Sequence, residues 1–283
     1  MFIYKKKGGI ILAKKNQLVW DQRVTWAITA LIVLLIIAFF VSSRSDQWFI
    51  DRGEDIEQFE GPLFENATHR QYNASSPPMV HTGGPALFER ANLLEVQEAM
   101  QINENRPLEF LDLREMVRIS EDELNEVLED KGILAGHGDS FLRAQRNYNV
   151  NVFYLIAHAL VETGHGESEL AAGIEHEDET YYNFFGIGAF DSGAVSEGHA
   201  YAVNEEWTSP EEAILGGAKF ISESYVHNNQ FTTYAMRWNP ENPTSNQYAT
   251  DVNWSRVIAE ITESYYDYFD LEPSRFYRNY YNE

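Results

Sequence analysis

The chain has 283 residues, 44 % of them hydrophobic, with no cysteine and a formal net charge of −23. The lack of cysteine excludes disulfides, thiol nucleophiles and cysteine metal ligands, and so acidic a surface excludes nucleic-acid binding through phosphate contacts. The charge is also polarised: six of the first 23 residues are basic (Lys5, Lys6, Lys7, Lys14, Lys15, Arg23) against one acid, Asp21, which leaves −28 for the rest by difference.

Residues 1–23 therefore read as a basic cytoplasmic segment. Residues 24–41 are uncharged and apolar. At ~1.5 Å per residue they span about 27 Å as a helix, close to the thickness of a bilayer core. Trp20 and Trp26 stand at one edge and Trp48 at the other, where interfacial aromatics collect. Basic residues precede the run, so residues 24–43 are expected to form a single-pass anchor in the cell membrane, with the N-terminus cytoplasmic and residues 44–283 outside. The competing reading is a cleaved signal peptide ending near Ser42-Ser43; the length of both the apolar run and the basic leader favours an anchor. Thr25, Ala27, Thr29, Ala30 and Ala38 leave small surfaces on which an integral-membrane partner could pack, although ordinary lipid-facing composition accounts for them equally.

Residues 44–78 are polar, acidic and end in Pro77-Pro78, which reads as a stalk. Scattered apolar positions between 79 and 115 predict short helices packing onto the region beyond, so 44–115 is expected to be an extracellular stalk and packing segment before a catalytic domain at 116–283. Ser120 and Glu123 form a capping box, and Gly132 is expected to close that helix. A second helix is predicted over 141–148, and a third over 152–162, capped by Asn151 and stopped by Gly164. Ser209-Pro210-Glu211-Glu212 is a strong helix start, with the helix reaching about Tyr225. Asp251 is expected to cap a last helix through Tyr268. Between 163 and 208, Gly and aromatics replace helical periodicity, predicting loops and a short hairpin. The exported part is thus mainly α with a small irregular or β insertion, and such an insertion on a helical scaffold is where a site is expected.

One carboxyl is singled out. Residues 152–161 are apolar on every face, as in a buried helix, and Glu162 ends that run. Desolvation and the negative end of the helix dipole both favour the neutral form of a carboxyl there, which suits a general acid. The plain alternative is a Glu that reaches solvent or caps a turn. His158 lies one turn earlier and is expected to be a satisfied structural histidine. No HExxH or other zinc-ligand spacing is present, so no metal or other cofactor is expected. Glu175, His176, Glu177, Asp178 and Glu179 read as a solvated acidic loop.

The stretches AHALVETGHGESELA, YYNFFGIGAFDS, EEWTSPEEAILGGAKFIS, YAMRWNPENP and QYATDVNW, in that order across roughly residues 116–270, resemble glycoside hydrolase family 73. The nearest resemblance is to the membrane-anchored glucosaminidases and the autolysin glucosaminidase domains of Gram-positive cell walls. The resemblance implies a lysozyme-like α+β fold, peptidoglycan glycan strands as substrate, and cleavage of the β-1,4 bond after N-acetylglucosamine. It maps the general acid onto Glu162. Fold alone leaves muramidase or lytic transglycosylase cleavage, or a non-catalytic wall-binding scaffold, as alternatives.

The second catalytic group stays open. Two-carboxylate glycosidases place the pair ~5 Å apart when retaining and about 6.5–9.5 Å apart when inverting, while substrate assistance by a 2-acetamido group dispenses with it. Glu197 and Asp191, in the insertion, are candidates to face the groove. Tyr248 matches a tyrosine that the family places near the scissile bond, able to hydrogen-bond the acetamido group. Tyr182, Asn183, Phe185, Tyr234, Trp238 and Asn239 are the expected substrate-binding residues. Arg237 is expected either to pair with an acid or to meet a muramyl peptide carboxylate.

Overall fold

A computed structural model describes residues 61–83, 87–166, 169–188 and 194–282. The basic segment, the expected anchor and Asp191 lie outside the described residues, among which no helix is long and apolar enough to cross a membrane.

The central helix follows directly from its sequence. Asn151 caps Val152–Glu162 (α5), its side chain accepting from the Phe153 and Tyr154 amides at 3.0 and 3.1 Å. The same buried amide donates to the Glu115 carbonyl and to the Tyr266 hydroxyl, at 2.8 Å each, so every polar atom of the cap is used. Residues 152–160 are buried all round. At about 1.5–3 kcal/mol for each large apolar side chain removed from water, this face-independent burial fixes α5 as the axis of the fold. Trp254–Tyr268 (α10) packs along it, and Phe153 is enclosed by Tyr265, Tyr266 and Phe269 at ring separations of 5.0–5.7 Å. Gly138–Tyr148 (α4) covers another side and in turn carries Pro210–Ile221 (α8), with Glu121–Leu128 (α3) beyond it.

Most predicted helices form where expected. The Ser120/Glu123 capping box is made in both directions, although α3 ends at Leu128 and Gly132 opens a separate 3-10 turn, Gly132–Leu134. Ser209 caps α8 and Pro210 is its first residue; past Ile221 the helix widens into a π turn, Ser222–Val226. The last helix starts later than expected. Asp251 spends its carboxylate on the Asn253 amide at 2.9 Å, and Asn253 occupies the cap position without a side-chain bond.

The insertion holds the expected hairpin, Ile174–His176 (β3) paired antiparallel with Glu179–Tyr181 (β4), and two unexpected helices, Glu169–Ala172 (α6) and Ala194–Asn204 (α7). Gly198 interrupts the helical signal of α7, at a cost of about 1 kcal/mol relative to Ala. Tertiary contacts prevail: the Gly198 carbonyl accepts from Asn183 Nδ2 at 3.0 Å, and Ala202 is buried.

The expected stalk differs most. Within it, Phe64–Tyr72 (α1) is helical, with Ala67, Thr68 and Gln71 buried. A hairpin, Met79–His81 (β1) with Phe88–Arg90 (β2), and Leu93–Met100 (α2) come next in the chain. This segment shares a second apolar core with Thr233–Trp238 (α9) and the C-terminal segment, built from Ala67, Val96, Met100, Phe110, Tyr234, Trp238 and Tyr280. It also holds the chain ahead of α10: Met79 exchanges backbone hydrogen bonds with Thr250 and Val252, at 2.9 Å each.

Candidate active site

Glu162 is the last residue of α5, with 24 % of its side chain exposed. It thus sits between a sealed core and solvent. Oε1 accepts a hydrogen bond from Trp254 Nε1 at 2.9 Å. Oε2 lies along the backbone of Gly186, where an added Cβ would stand 2.6 Å from it. Gly186 has φ +63°, so both its conformation and the lack of a side chain make room for the carboxyl.

Behind the carboxyl, Tyr154, His158 and Glu162 succeed one another at four-residue intervals and so share one face of α5. His158 is fully buried. Its Nδ1 is 3.0 Å from the Tyr154 hydroxyl, which also approaches Met236 Sδ at 3.2 Å. Its Nε2 faces Glu162 Oε1 at 3.6 Å, beyond hydrogen-bonding distance, and has no other partner among the described residues.

Tyr248 closes the other side. Its ring stacks on Trp254 (5.0 Å, 17°) and meets the edge of His158 at 4.6 Å. Its hydroxyl donates to the Phe185 carbonyl at 2.7 Å, and its amide donates to Met236 O at 2.9 Å. Burial, reinforced by the negative charge of Glu162, raises the Tyr248 phenol well above its ordinary range. Burial also raises Tyr154, with Tyr225 and Glu162 adding to the shift, and pushes Tyr225 up to about 12. All three phenols are therefore neutral at working pH: they donate and accept hydrogen bonds but supply no phenolate.

The segment 247–254, which delivers Tyr248 and Trp254, is fastened along its length. Gln247 Nε2 donates to Gln71 Oε1 and to Arg237 O, at 2.9 and 2.8 Å. Arg237 is buried over the Trp238 ring and donates to the Thr250 and Asp251 carbonyls, at 2.7 Å each. Burial pulls its pKa down, but a guanidinium stays charged at neutral pH. Arg237 is thus buried and works mainly on backbone carbonyls, with the Asp251 charge nearby favouring its ionised form.

Of the other expected residues, several are structural. Tyr234 and Trp238 are fully buried in the second core, the Tyr234 hydroxyl donating to Met100 O. Both serve packing, because α9 turns its aromatic face toward the N-terminal segment rather than toward Glu162. Asn239 is a mostly buried left-handed helix cap whose Nδ2 donates to Ser245 O at 2.7 Å. Asn183 is buried and ties the 183–187 turn to α7 through Ile187 O and Gly198 O. Phe185 contributes its carbonyl to Tyr248 and its buried ring to the edge of His158. Tyr182 is partly buried beside Phe184. Glu197 is exposed in the first turn of α7. Glu175, Glu177, Asp178 and Glu179 are exposed on the β3–β4 hairpin. Trp254, Gly186 and Tyr154 also surround Glu162 and are not among the expected residues: Trp254 and Gly186 stand inside the QYATDVNW and YYNFFGIGAFDS stretches, and Tyr154 is marked only by its 154/158/162 spacing on an apolar helix.

The chain is similar to proteins of known family and fold. Residues 138–267 match a family model described as Glucosaminidase, mannosyl-glycoprotein endo-beta-N-acetylglucosaminidase. The bifunctional autolysin of Staphylococcus epidermidis is 41 % identical over 222 residues, 74 % of this chain; the chain spans 17 % of that protein's length. The crystal structure of a catalytic mutant of S. aureus autolysin E, in complex with the disaccharide NAG-NAM, is 45 % identical, with TM-score 0.73, covering 79 % of this chain and 99 % of that one. S. aureus glucosaminidase B is 37 % identical, with TM-score 0.59 and coverage of 76 % and 89 %. The mostly helical, lysozyme-like fold implied by the motifs is the one this chain shares with those structures. The chain therefore belongs to the glucosaminidase family, glycoside hydrolase family 73.

Proposed function

We propose that this chain is an endo-β-N-acetylglucosaminidase that cuts peptidoglycan glycan strands after N-acetylglucosamine, with Glu162 as general acid. The observation that carries the reading is the Glu162 carboxyl itself. It stands at the solvent edge of a buried helix, held on one oxygen by Trp254 and set with the other against the side-chain-free backbone of Gly186. Family membership and the NAG-NAM disaccharide held by autolysin E support the choice of substrate.

Tyr248 supplies the second element. Its hydroxyl proton is committed to the Phe185 carbonyl, which leaves the oxygen lone pairs to accept an N–H. An acetamido N–H held there would aim its own carbonyl oxygen at the anomeric carbon. Glu162 gives its proton to the leaving glycosidic oxygen as the C1–O bond breaks, and the acetamido oxygen closes on C1. Water then opens that ring, losing its proton to the Glu162 carboxylate. Among the described residues, the groups that contact Glu162 or act on its neighbours here are Trp254, His158, Tyr154 and Tyr248, none of them a carboxylate, which supports this route.

Glu162→Gln should remove essentially all release of reducing ends from purified peptidoglycan while the far-UV spectrum and melting midpoint stay those of the parent. Retained turnover would rule out Glu162 as the acid.

Residues 24–43 place this chemistry at the outer face of the cell membrane, through the uncharged run preceded by basic residues. The full chain should stay with membranes through an alkaline carbonate wash, and a chain beginning at residue 44 should be released. Loss of the full chain to the wash would contradict the anchor.

A further inference from the structure

Resting on the assignment of Glu162 as the acid, we propose that Trp254 is a positioning residue that decides which oxygen of Glu162 carries the catalytic proton. An indole N–H only donates. Oε1, 2.9 Å from Trp254 Nε1, must therefore accept in both protonation states. In the neutral carboxyl the better acceptor is the carbonyl oxygen, so the proton sits on Oε2. Oε2 is the oxygen beside Gly186, where a side chain would collide with it at 2.6 Å. The proton on Oε2 is the one the leaving glycosidic oxygen takes, and the bare Gly186 backbone is what lets Oε2 hold that position.

The indole is fixed independently of the carboxyl it serves. It belongs to the first residue of α10, is almost fully buried, stacks on Tyr248 and meets the edge of the His158 ring at 5.2 Å and 87°. The hydrogen bond also changes strength during the reaction. An N–H held to a carboxylate is stronger than the same bond to a neutral carboxyl, so Trp254 favours the state reached once the proton has left. Removing it leaves an acid that is both less well aimed and slower to let go.

Titratable groups face this carboxyl from several elements: His158 and Tyr154 on α5, Tyr248 from the segment before α10, and Tyr225 behind Tyr248 from the π turn. The tyrosines stay neutral through the working range. His158 is present in parent and variant alike, so a displacement of the profile between them reports on the lost N–H.

The test compares kcat, KM and their profiles from about pH 4 to pH 9 for the full chain, Trp254→Phe, and a protein with benzothienylalanine at position 254. That last residue keeps the bicyclic shape and replaces N–H by sulfur. Both replacements should lower kcat about ten-fold or more with KM within about two-fold, and should move the basic limb upward by about one pH unit, because the hydrogen bond that favoured the ionised carboxyl is gone. A profile superimposable on that of the parent, whether or not its height drops, overturns the proposal. If Trp254→Phe does not fold, the isostere decides. Glu162→Gln separates the two readings. An active Glu162→Gln protein sinks the acid assignment itself, whereas an inactive one beside an unshifted isostere profile sinks only the role of Trp254.

Discussion

The two oxygens of Glu162 have different surroundings, an indole N–H on one side and a bare glycine on the other. At this scale Gly186 is as constrained as the acid it faces. Gly186→Ala would place a methyl 2.6 Å from Oε2 in a backbone conformation that costs an L-residue roughly 1–2 kcal/mol. The expected result is a folded protein, melting a few degrees lower, with kcat reduced at least about ten-fold as the carboxyl is pushed off its position. Parent-like kcat with the same small drop in melting midpoint would show that the contact is not needed. Glu162 itself was legible because a charged residue ending an all-apolar helix is rare enough to demand a reason. The placing of His158 one turn before Glu162 was legible from spacing, whereas Tyr154, a turn earlier again, was not singled out. The fates of Tyr234 and Trp238 were not, since an aromatic side chain suits a sugar groove and a core equally well and only the position of the neighbouring N-terminal segment decides.

Elements were readable in proportion to how local their causes are. α5 has its expected limits because cap, apolar run and stop all fall within 14 residues, 151–164. The capping box of α3 and the Ser-Pro-Glu-Glu start of α8 are equally local, and both form. α7 escaped notice because its stability comes from contacts with the 183–187 turn that no window of sequence contains. The late start of α10 has the same origin. Arg237 and Met79 hold residues 250–252 extended, so Asp251 turns the chain toward Asn253 and the helix begins at Trp254. That delay matters for the site. It places Trp254 at the first position of α10, where its indole meets Glu162. The elements that aim Tyr248 and Trp254 are therefore those least visible in the sequence.

For the molecule as a whole, the described N-terminal residues belong to the same compact unit as the helices around α5. Gln71 from α1 donates to Trp238 O at 2.7 Å, and Gln247, just ahead of Tyr248, donates to Gln71. A segment expected to be a spacer thus braces the 247–254 segment that carries half of the site. The proposed reaction breaks one bond in one substrate class, with the Glu162 carboxyl giving the proton. Mass spectrometry of the soluble fragments from purified glycan strands tests it most directly, with parent and Glu162→Gln proteins side by side. Fragments ending in reducing N-acetylglucosamine from the parent, and none from the Glu162→Gln protein, are the predicted result. Fragments ending in N-acetylmuramic acid or its anhydro form, or the same fragments from both proteins, would contradict the account.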